Sequence, residues 1–359
     1  GAAAVMSCPR SPMAYLCGAC GNLCAWFALG MAIALAACST SPHLQSIDGE
    51  SMGSMWAVRY VGADDSLEKI KDGVEARLLL VDQQMSTWKA DSDLSRFNAA
   101  PAGTWSVLPR ELFKVIETAL ELAADTGGAY DPTVGPLVDL WGFGAAGSRR
   151  EPPDPASIEA MRGRTGWQRV RFDARQRRIL QSGGTHLDLS SIAPGYALDL
   201  IGEYLEAQGI DDYLVEVGGE LRGRGSRPGG SAWQVAIQRP LDNDSADGSI
   251  TPQHVIGLRD AALGSSGDYR HFFEDGGRRY AHRIDPRNGW PLDNGVASVT
   301  VMAPLGIDAD ALATALSVLG ADAGLEYAGR RGVAALFILR KGEGFEERMT
   351  PTCAALLAR

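Results

Sequence analysis

Hydrophobic residues recur with two different periods along this chain. A period of about 3.6 residues, typical of amphipathic helices, runs through "SLEKIKDGVEARLLLVDQQMS", "RELFKVIETALELAADTGG" and "GYALDLIGEYLEAQG". Alternation, which predicts strands, appears in "SMWAVRYVG", and "DYLVEVGGELRGRG" has the strand, Gly-Gly turn and strand of a short hairpin. Helices and hairpins are mixed without a regular strand–helix–strand cadence. The pattern predicts an α+β fold with a mainly antiparallel sheet and flanking helices, either undivided or built from two lobes.

Local signals mark the ends of these elements and add further strands. Ser66 is expected to cap the first helix, Gly127 and Gly128 to end the second, and Gly209 to end the third. "WQRVRFDARQRRILQSGG" is typical of two strands around a polar turn, and more strands are expected in "WQVAIQRP", "HVIGLRD" and "VASVTVMAP".

The amino-acid composition narrows the kinds of molecule that this protein could bind. The 359 residues are 45% hydrophobic and 22% charged, as in ordinary globular proteins with a sizeable core. The net charge of −10 argues against nucleic acid as a partner, because binding a polyanion needs a basic surface. A small anionic ligand is still compatible with this charge, since a metal ion or helix N-termini can neutralise it locally.

The N-terminal region has the features of a targeting segment. "CAWFALGMAIALAAC" is uncharged, short for a membrane span and ends in small residues, so residues 1–37 are interpreted as a signal peptide. Leu35-Ala36-Ala37-Cys38 resembles the lipobox of bacterial lipoproteins, which implies a lipid on Cys38, a polar tether over 38–46 and a globular part over 47–359. Such a protein is anchored to a membrane of the bacterial cell envelope and faces the periplasm. The alternatives are an ordinary cleaved signal or an uncleaved anchor, since Arg10 is the only basic residue before the apolar run.

Cysteine usage agrees with this interpretation. Five of the six cysteines lie in the first 38 residues, and Cys353 alone lies in the body of the chain. If Cys38 carries lipid, no internal disulfide is expected, and the fold must be held by burial of its core.

The segment "DADALATAL" carries an unusual polar face. At 100° per residue Asp310, Thr314 and Ser317 share one side of a helix, opposite a stripe of Ala and Leu. Asp308 is expected to cap this helix and Gly320 to end it. A carboxylate and a hydroxyl flanked by alanines form an oxygen ligand set that Mg²⁺ accepts, with phosphate and water completing its shell. The alternative is a polar face that simply meets water.

Four other segments also combine small residues, turn-forming residues and at least one acidic residue. They are "AYDPTVGPLVDLWGFG" around Asp131, "LDLSSIAPGYALD", "GSSGDYR" with Asp268 and Arg270, and "AHRIDPRNGWPL" with His282 and Asp285. Taken singly, each could be a loop held by Asx turns.

Taken in order, the segments resemble the FAD:protein FMN transferases, the ApbE-type flavin transferases. The resemblance covers nearly the whole chain after the leader and rests on eight ordered segments: "MGSMWAVRY", "MSTWKADSDLSRFN", "AYDPTVGPLVDLWGFG", "LDLSSIAPGYALD", "YLVEVGGELRGRG", "SSGDYR", "HRIDPRNGWP" and "DADALATAL". It implies that residues 47–359 form a domain that binds FAD, cleaves its pyrophosphate, transfers the FMN half to a Ser or Thr hydroxyl of a target protein and releases AMP.

The resemblance also implies a role for each site residue. Asp310 and Thr314 take the places of Mg²⁺ ligands, together with the backbone carbonyl of Ala193, and His282 stands where a base could deprotonate the acceptor hydroxyl. His271 is expected at the surface. Positions at FAD contacts are occupied by Met52, Trp88, Ala129, Tyr130, Asp131, Asp188, Tyr196, Asp268, His282 and Asp285.

Three positions depart from the residues typical of this family. Pro194 replaces a polar residue beside Ala193, Ser265 replaces Thr, and Asn288 replaces Thr in a turn; these changes are expected to tune flavin affinity and to leave the metal ligands intact. The expected acceptors are flavin-carrying subunits of membrane redox complexes. The alternatives are a Mg²⁺-dependent FAD pyrophosphatase, which uses water as the nucleophile, and a flavin-binding lipoprotein without chemistry.

Overall fold

The computed structural model describes residues 43–63, 66–241, 251–269 and 271–358. The predicted signal peptide, Cys38 and residues 38–42 of the predicted tether lie outside these ranges. The globular part is one compact unit from His43 onward, so the undivided form of the prediction is confirmed.

The strands of the described residues follow one another along most of the chain. In chain order they are β1 (His43–Ser51), β2 (Ser54–Gly62), β3 (Trp105–Val107), β4 (Arg171–Asp173), β5 (Arg178–Leu180), β6 (Tyr213–Val217), β7 (Glu220–Arg224), β8 (Trp233–Gln238), β9 (Pro252–Leu258), β10 (Ala261–Gly267), β11 (Phe272–Asp275), β12 (Arg278–Ala281), β13 (Ile284–Asp285), β14 (Trp290–Pro291), β15 (Val296–Ala303), β16 (Ala334–Lys341) and β17 (Gly344–Met349).

The α-helices of the same residues lie between groups of these strands or after the last of them. They are α1 (Leu67–Met85), α2 (Asp93–Ala99), α3 (Arg110–Asp125), α4 (Gly135–Leu140), α5 (Pro155–Arg162), α6 (Ala193–Ala207), α7 (Gly306–Leu319), α8 (Ala321–Arg330) and α9 (Pro351–Leu357).

The central element is an eight-stranded sheet with the order β1-β2-β6-β7-β10-β15-β16-β17. Every pair of neighbours in it is antiparallel, which confirms the predicted fold class. The β6–β7 hairpin turns through Gly218 and Gly219, whose φ angles of 63° and 98° lie in the left-handed region that glycine adopts without strain.

Both faces of this sheet are covered. Side chains alternate along each strand, so Tyr213 and Val215 of β6 join the core beneath α1, α3, α6 and α7, whereas Leu214 faces the opposite way. On that opposite side the β8–β9 hairpin and α9 bury Trp233 and Cys353. Burial raises the pKa of the Cys353 thiol to about 11, so this cysteine is unreactive at neutral pH.

Most of the predicted elements are confirmed, with two corrections. The predicted strand "SMWAVRYVG" coincides with β2, but β1 already begins at His43, so residues 43–46 of the predicted tether belong to the sheet. Ser66 does stand before α1, yet its side chain does not cap the helix, because its hydroxyl donates to the Ala63 carbonyl. Within the described ranges, no helix combines the length and the apolarity needed to cross a membrane.

Candidate functional site

An open cleft with two chambers lies beside the β6–β7 turn. The first chamber has a volume of about 370 Å³ and is walled by this turn, the end of β10, helix α7 and the segment between β12 and β13. The second chamber, of about 590 Å³, lies against the end of α1. The two are continuous, since Thr87, Trp88, Ser190 and Pro194 line both.

Asp310 places a buried carboxylate in the first chamber. Only 7% of the residue is exposed, and Oδ2 accepts the Gly195 N–H at 2.9 Å, the one hydrogen bond that this carboxylate makes among the described residues. Burial outweighs this bond and raises the pKa of Asp310 to about 7. A carboxylate held in this way gains from a cation that can neutralise it.

Three glycines bring the backbones around Asp310 into close contact. A Cβ on Gly195 of α6 would stand 2.2 Å from the Gly306 carbonyl oxygen and 2.7 Å from the Asp310 Cβ. A Cβ on Gly264 of β10 would stand 2.5 Å from the Ala309 backbone. Helix α7 therefore lies wedged between α6 and the sheet, which explains its lining of alanine.

The N-terminus of α7 is capped from another helix. The carboxylate of Asp199 on α6 accepts the N–H groups of Gly306 at 2.8 Å and Ile307 at 3.0 Å, and it is also paired with Arg222. The prediction that Asp308 caps this helix was wrong, because Asp308 lies inside the first turn. The prediction that Gly320 ends the helix is confirmed.

The polar face of α7 divides into two parts. Thr314, one turn beyond Asp310, lines the first chamber. Ser317 does not, because it is fully buried and its hydroxyl donates to the Ala313 carbonyl at 2.9 Å. The alternative of a polar face in water was wrong, since the helix is buried on nearly all sides.

The groups around Asp310 fit a magnesium ion. Ala193, whose carbonyl is the third expected ligand, begins α6 two residues before Gly195 and lines the second chamber. Among the described residues, no cluster of three His, Cys, Asp or Glu side chains could hold a metal. One carboxylate, one hydroxyl and one carbonyl suit a hard cation that takes its remaining ligands from phosphate and water.

His282 lies opposite α7 in the first chamber, beside a second histidine. Its backbone N–H donates to the His271 carbonyl at 2.9 Å, and its Nδ1 lies 3.2 Å from the same oxygen. Because a carbonyl only accepts, this contact favours a proton on Nδ1 and leaves the lone pair on Nε2. The His271 side chain also lines the chamber, with ring centroids 5.6 Å apart, so it belongs to the site as well as to the surface.

Besides His282, three of the predicted FAD contacts lie in the cleft. Trp88 is 69% exposed and lines both chambers, which leaves its ring free to stack on a planar group. Met52, in the β1–β2 turn with a φ of 52°, lines the second chamber. Asp188 lines the first, and its carboxylate accepts the Ser190 N–H at 2.8 Å.

Four other predicted contacts are buried residues outside the lining of the cleft. Ala129, Tyr130 and Asp131 precede α4, and Tyr196 is in α6; none of them lines either chamber as described. Asp131 forms an Asx turn, because it accepts the N–H and hydroxyl of Thr133, and it also holds the Trp167 N–H. Burial raises the pKa of Asp131, and it raises the pKa of Tyr196 to about 12.

The last two predicted contacts, Asp268 and Asp285, also lie outside the lining of the cleft. Asp268 pairs with Arg340 at 2.8 Å and lies 3.9 Å from Arg283, a residue of the first chamber. Burial lowers the pKa of Arg283 to about 10. The Asp285 carboxylate accepts three hydrogen bonds from Arg287, one from its backbone N–H and two from its guanidinium, and so fixes the turn that follows His282.

The sequence patterns missed several residues of the wall. Glu220 accepts the Ser265 N–H at 2.9 Å and ties the β6–β7 turn to β10, and Phe143 stands edge-on to His282 with centroids 6.4 Å apart. The glycine pair before Glu220 signalled a hairpin, but nothing in its spacing showed that this hairpin borders the cleft. Tyr269 and Ser266 also line the first chamber.

The fold and the cleft define a class of protein. It is an antiparallel α+β protein whose open cleft brings together the buried carboxylate of Asp310, the hydroxyl of Thr314 and two imidazoles, with an exposed tryptophan where the two chambers meet. Residues 52–337 match the sequence pattern of the ApbE family, and the chain belongs to this family.

Similar proteins come from several bacteria. A protein of Haemophilus influenzae named FAD:protein FMN transferase is 39% identical over 326 residues, which cover 89% of this chain and 93% of the relative. A protein of the same name from Salmonella typhimurium is 37% identical over 87% of this chain and 89% of its own length.

Solved structures show the same fold. The apo form of the Pseudomonas stutzeri flavinyl transferase ApbE superposes with a TM-score of 0.81 at 38% identity, covering 90% of this chain and 99% of its own. The flavin transferase ApbE from Vibrio cholerae gives 0.80 at 33% identity, covering 88% of this chain and all of its own.

Proposed function

We propose that this protein transfers the FMN part of FAD to a Ser or Thr hydroxyl of another protein with the help of Mg²⁺, releasing AMP. The observation that carries the proposal is the meeting of Asp310, Thr314 and His282 in one cleft. The relatives named FAD:protein FMN transferase support it.

Each group has a chemical task. Asp310, Thr314 and the Ala193 carbonyl would hold Mg²⁺, which supplies neutralising charge for the phosphate oxygens when bound. Trp88 offers a face to the flavin or adenine ring at the junction of the two chambers. Nε2 of His282 accepts the proton of the acceptor hydroxyl.

The transfer itself makes and breaks one bond to phosphorus. The acceptor oxygen attacks the FMN phosphorus, the bond to the bridging oxygen of the AMP half breaks, and AMP leaves with the bonding electrons. His282 removes the hydroxyl proton as the new bond forms. A Ser or Thr phosphodiester to FMN results.

The cell-envelope location is part of the proposal. A lipid on Cys38 and a short polar tether would hold the domain at the membrane on the periplasmic side. The acceptors would then be flavin-carrying subunits of membrane redox complexes on the same surface. Replacing Cys38 with Ser should release the protein from the membrane fraction, whereas unchanged membrane retention would reject the lipid anchor.

One assay tests the proposed chemistry against its alternatives. The protein is incubated with FAD and Mg²⁺, with and without a membrane extract that contains acceptor proteins, and AMP and denaturant-resistant flavin fluorescence are followed. Labelled protein together with AMP supports transfer. AMP without label supports FAD hydrolysis, and neither product supports storage of FAD.

A further inference from the structure

A second groove lies on the face of the sheet opposite α7. It has a volume of about 240 Å³ and runs between the eight-stranded sheet and the β8–β9 hairpin. Leu263 and Ser265 of β10 line it, while Gly264 between them faces α7, as strand alternation requires. Nothing in the chemistry of the cleft uses this groove.

The groove is continuous with the first chamber. Gly219, Ser265 and Tyr269 line both of them, so the two spaces meet where the β6–β7 turn approaches the end of β10. The Tyr269 hydroxyl donates to Oε1 of Gln238 at 3.5 Å, which links the cleft wall to the end of β8. A chain lying in the groove would therefore reach the chamber that contains His282.

An edge of β8 borders the groove. In the described part of the chain β8 pairs with β9 alone, and residues from both of its faces, Gln234, Val235 and Ala236, line the groove. A strand edge of this kind can add an extended chain through main-chain hydrogen bonds. From Gln234 to Gln238 it offers a length of about 16 Å, at about 3.3 Å per residue.

The groove also carries polar groups suited to a peptide. Arg59 and Glu216 are exposed on its sheet side and bring charges of both signs. The hydroxyl of Ser298 is buried in its lining and has no hydrogen-bond partner among the described residues. A buried hydroxyl without a partner lowers the stability of the folded state, so this wall favours an occupant that offers a polar group.

We infer that this groove binds the acceptor protein, as an extended segment lying along β8 that delivers its Ser or Thr hydroxyl past Tyr269 to His282. The inference rests on the proposed transfer, since only a transferase needs a second, polypeptide substrate. With FAD in the cleft, as the proposed function requires, the groove is the adjoining space in which a second substrate can lie at the same time. Main-chain hydrogen bonds along β8 set the register of the segment and so the distance of its hydroxyl from His282.

The test compares two substitutions on one hairpin. Ala236→Arg fills the groove from β8, and Val255→Arg changes its cross-strand partner on β9, which is 60% exposed and does not line the groove as described. The full-length protein is given FAD, Mg²⁺ and synthetic 12-residue peptides with one central Ser or Thr and random flanks. FMN incorporation is measured by mass spectrometry, and FAD affinity by flavin fluorescence.

We expect Ala236→Arg to lower peptide labelling at least tenfold while the Kd for FAD stays within twofold, and Val255→Arg to change neither. Peptides methylated on alternate main-chain nitrogens should lose labelling. Equal labelling by Ala236→Arg and the parent would overturn the inference. A matching loss of FAD affinity would also overturn it, by assigning the groove to FAD.

The experiment distinguishes an error in the inferred peptide site from an error in the proposed transfer. If the parent labels proteins of a membrane extract but none of the peptides, strand recognition in the groove is wrong and the transfer stands. If the parent releases no AMP and labels neither peptides nor extract, the transfer is wrong and the inference falls with it.

Discussion

Asp310 shows at the residue scale how a site is kept ready at the expense of stability. Its carboxylate is buried with a single hydrogen bond from Gly195, and burial raises its pKa to about 7. The pKa in the folded chain is thus higher than in the unfolded chain, where it is near 3.8. The folded state binds the proton more tightly, so stability without metal falls as pH rises from about 4 to about 7.

Replacing Asp310 with Asn should separate stability from activity. Asn removes the buried charge, so at pH 8 and without metal we expect the melting temperature to rise by about 2 °C or more. AMP release should fall by more than about 100-fold if Asp310 is the metal ligand that we propose. Asp322→Asn, at an exposed carboxylate, serves as the control; unchanged turnover in Asp310→Asn would reject its assignment as a ligand.

Replacing His282 with Ala should remove transfer and keep FAD binding. A base contributes roughly 10²- to 10⁴-fold to proton transfer, so we expect a loss in that range with a Kd for FAD within about threefold. His271→Ala is the comparison, because it removes the other imidazole of the chamber but retains the carbonyl that contacts Nδ1 of His282. Equal transfer rates in His282→Ala and the parent would exclude His282 as the base.

At the scale of elements, the site depends on how closely α7 fits between α6 and β10. Asp199 caps α7 from α6, and Gly195, Gly306 and Gly264 let the three backbones meet. The position of the Asp310 carboxylate is therefore set by neighbouring elements as much as by its own helix.

Replacing Gly195 with Ala should push α6 and α7 apart. The new Cβ would stand 2.2 Å from the Gly306 carbonyl oxygen, so we expect a loss of about 1–3 kcal/mol in the free energy of unfolding and a parallel loss of activity. Gly329→Ala in α8 is the control, since nothing lies within 4 Å of its new Cβ. It should be neutral or stabilising by up to about 1 kcal/mol; the same loss in both variants would contradict the role of the close approach.

At the scale of the whole molecule, the cleft joins distant parts of the chain. Met52 and Trp88 come from its first third, Pro194 from the middle and Thr314 from near its end. A ligand that spans both chambers should therefore stabilise the molecule as a unit.

Magnesium and FAD together should stabilise the protein more than the sum of their separate effects. In the proposed site Asp310 supplies the one carboxylate, so a magnesium ion held there would need phosphate oxygens to complete its shell. At a ligand concentration about 100 times the Kd the gain is about 2.7 kcal/mol, which is about 5 °C for a chain of this size. Melting curves with each ligand, with both and with EDTA measure this; additive shifts would contradict a shared site.

Much of the fold could be predicted because it depends on local periodicity. The segments that became β2, the β6–β7 hairpin, α1, α3 and α6 were all expected from hydrophobic spacing and glycine positions. Ser66 and Asp308 were wrong as caps, because the hydroxyl of Ser66 found a local carbonyl and the α7 amides were taken by Asp199. Several groups can compete to cap a helix, and the local sequence does not show a competing group that is distant along the chain.

The sequence predicted which residue types form the site, but it did not predict which of the candidate residues line the cleft. Asp310, Thr314, Trp88 and His282 line the cleft as expected, whereas Asp131 and Asp285 hold turns behind it. An acidic residue in a turn has the same local pattern whether it faces a ligand or its own backbone. Only the packing of the surrounding elements separates the two.

The sequence by itself determined the α+β class, most of the helices and strands, and the oxygen-rich face that Asp310 and Thr314 share, because these follow from spacing along the chain. Tertiary structure alone decided that this face is buried, that Asp199 caps α7 and that His271 stands beside His282. It also placed the groove along β8 next to the cleft. The reason is physical: burial and the choice of hydrogen-bond partner arise only when segments far apart in sequence are brought into contact.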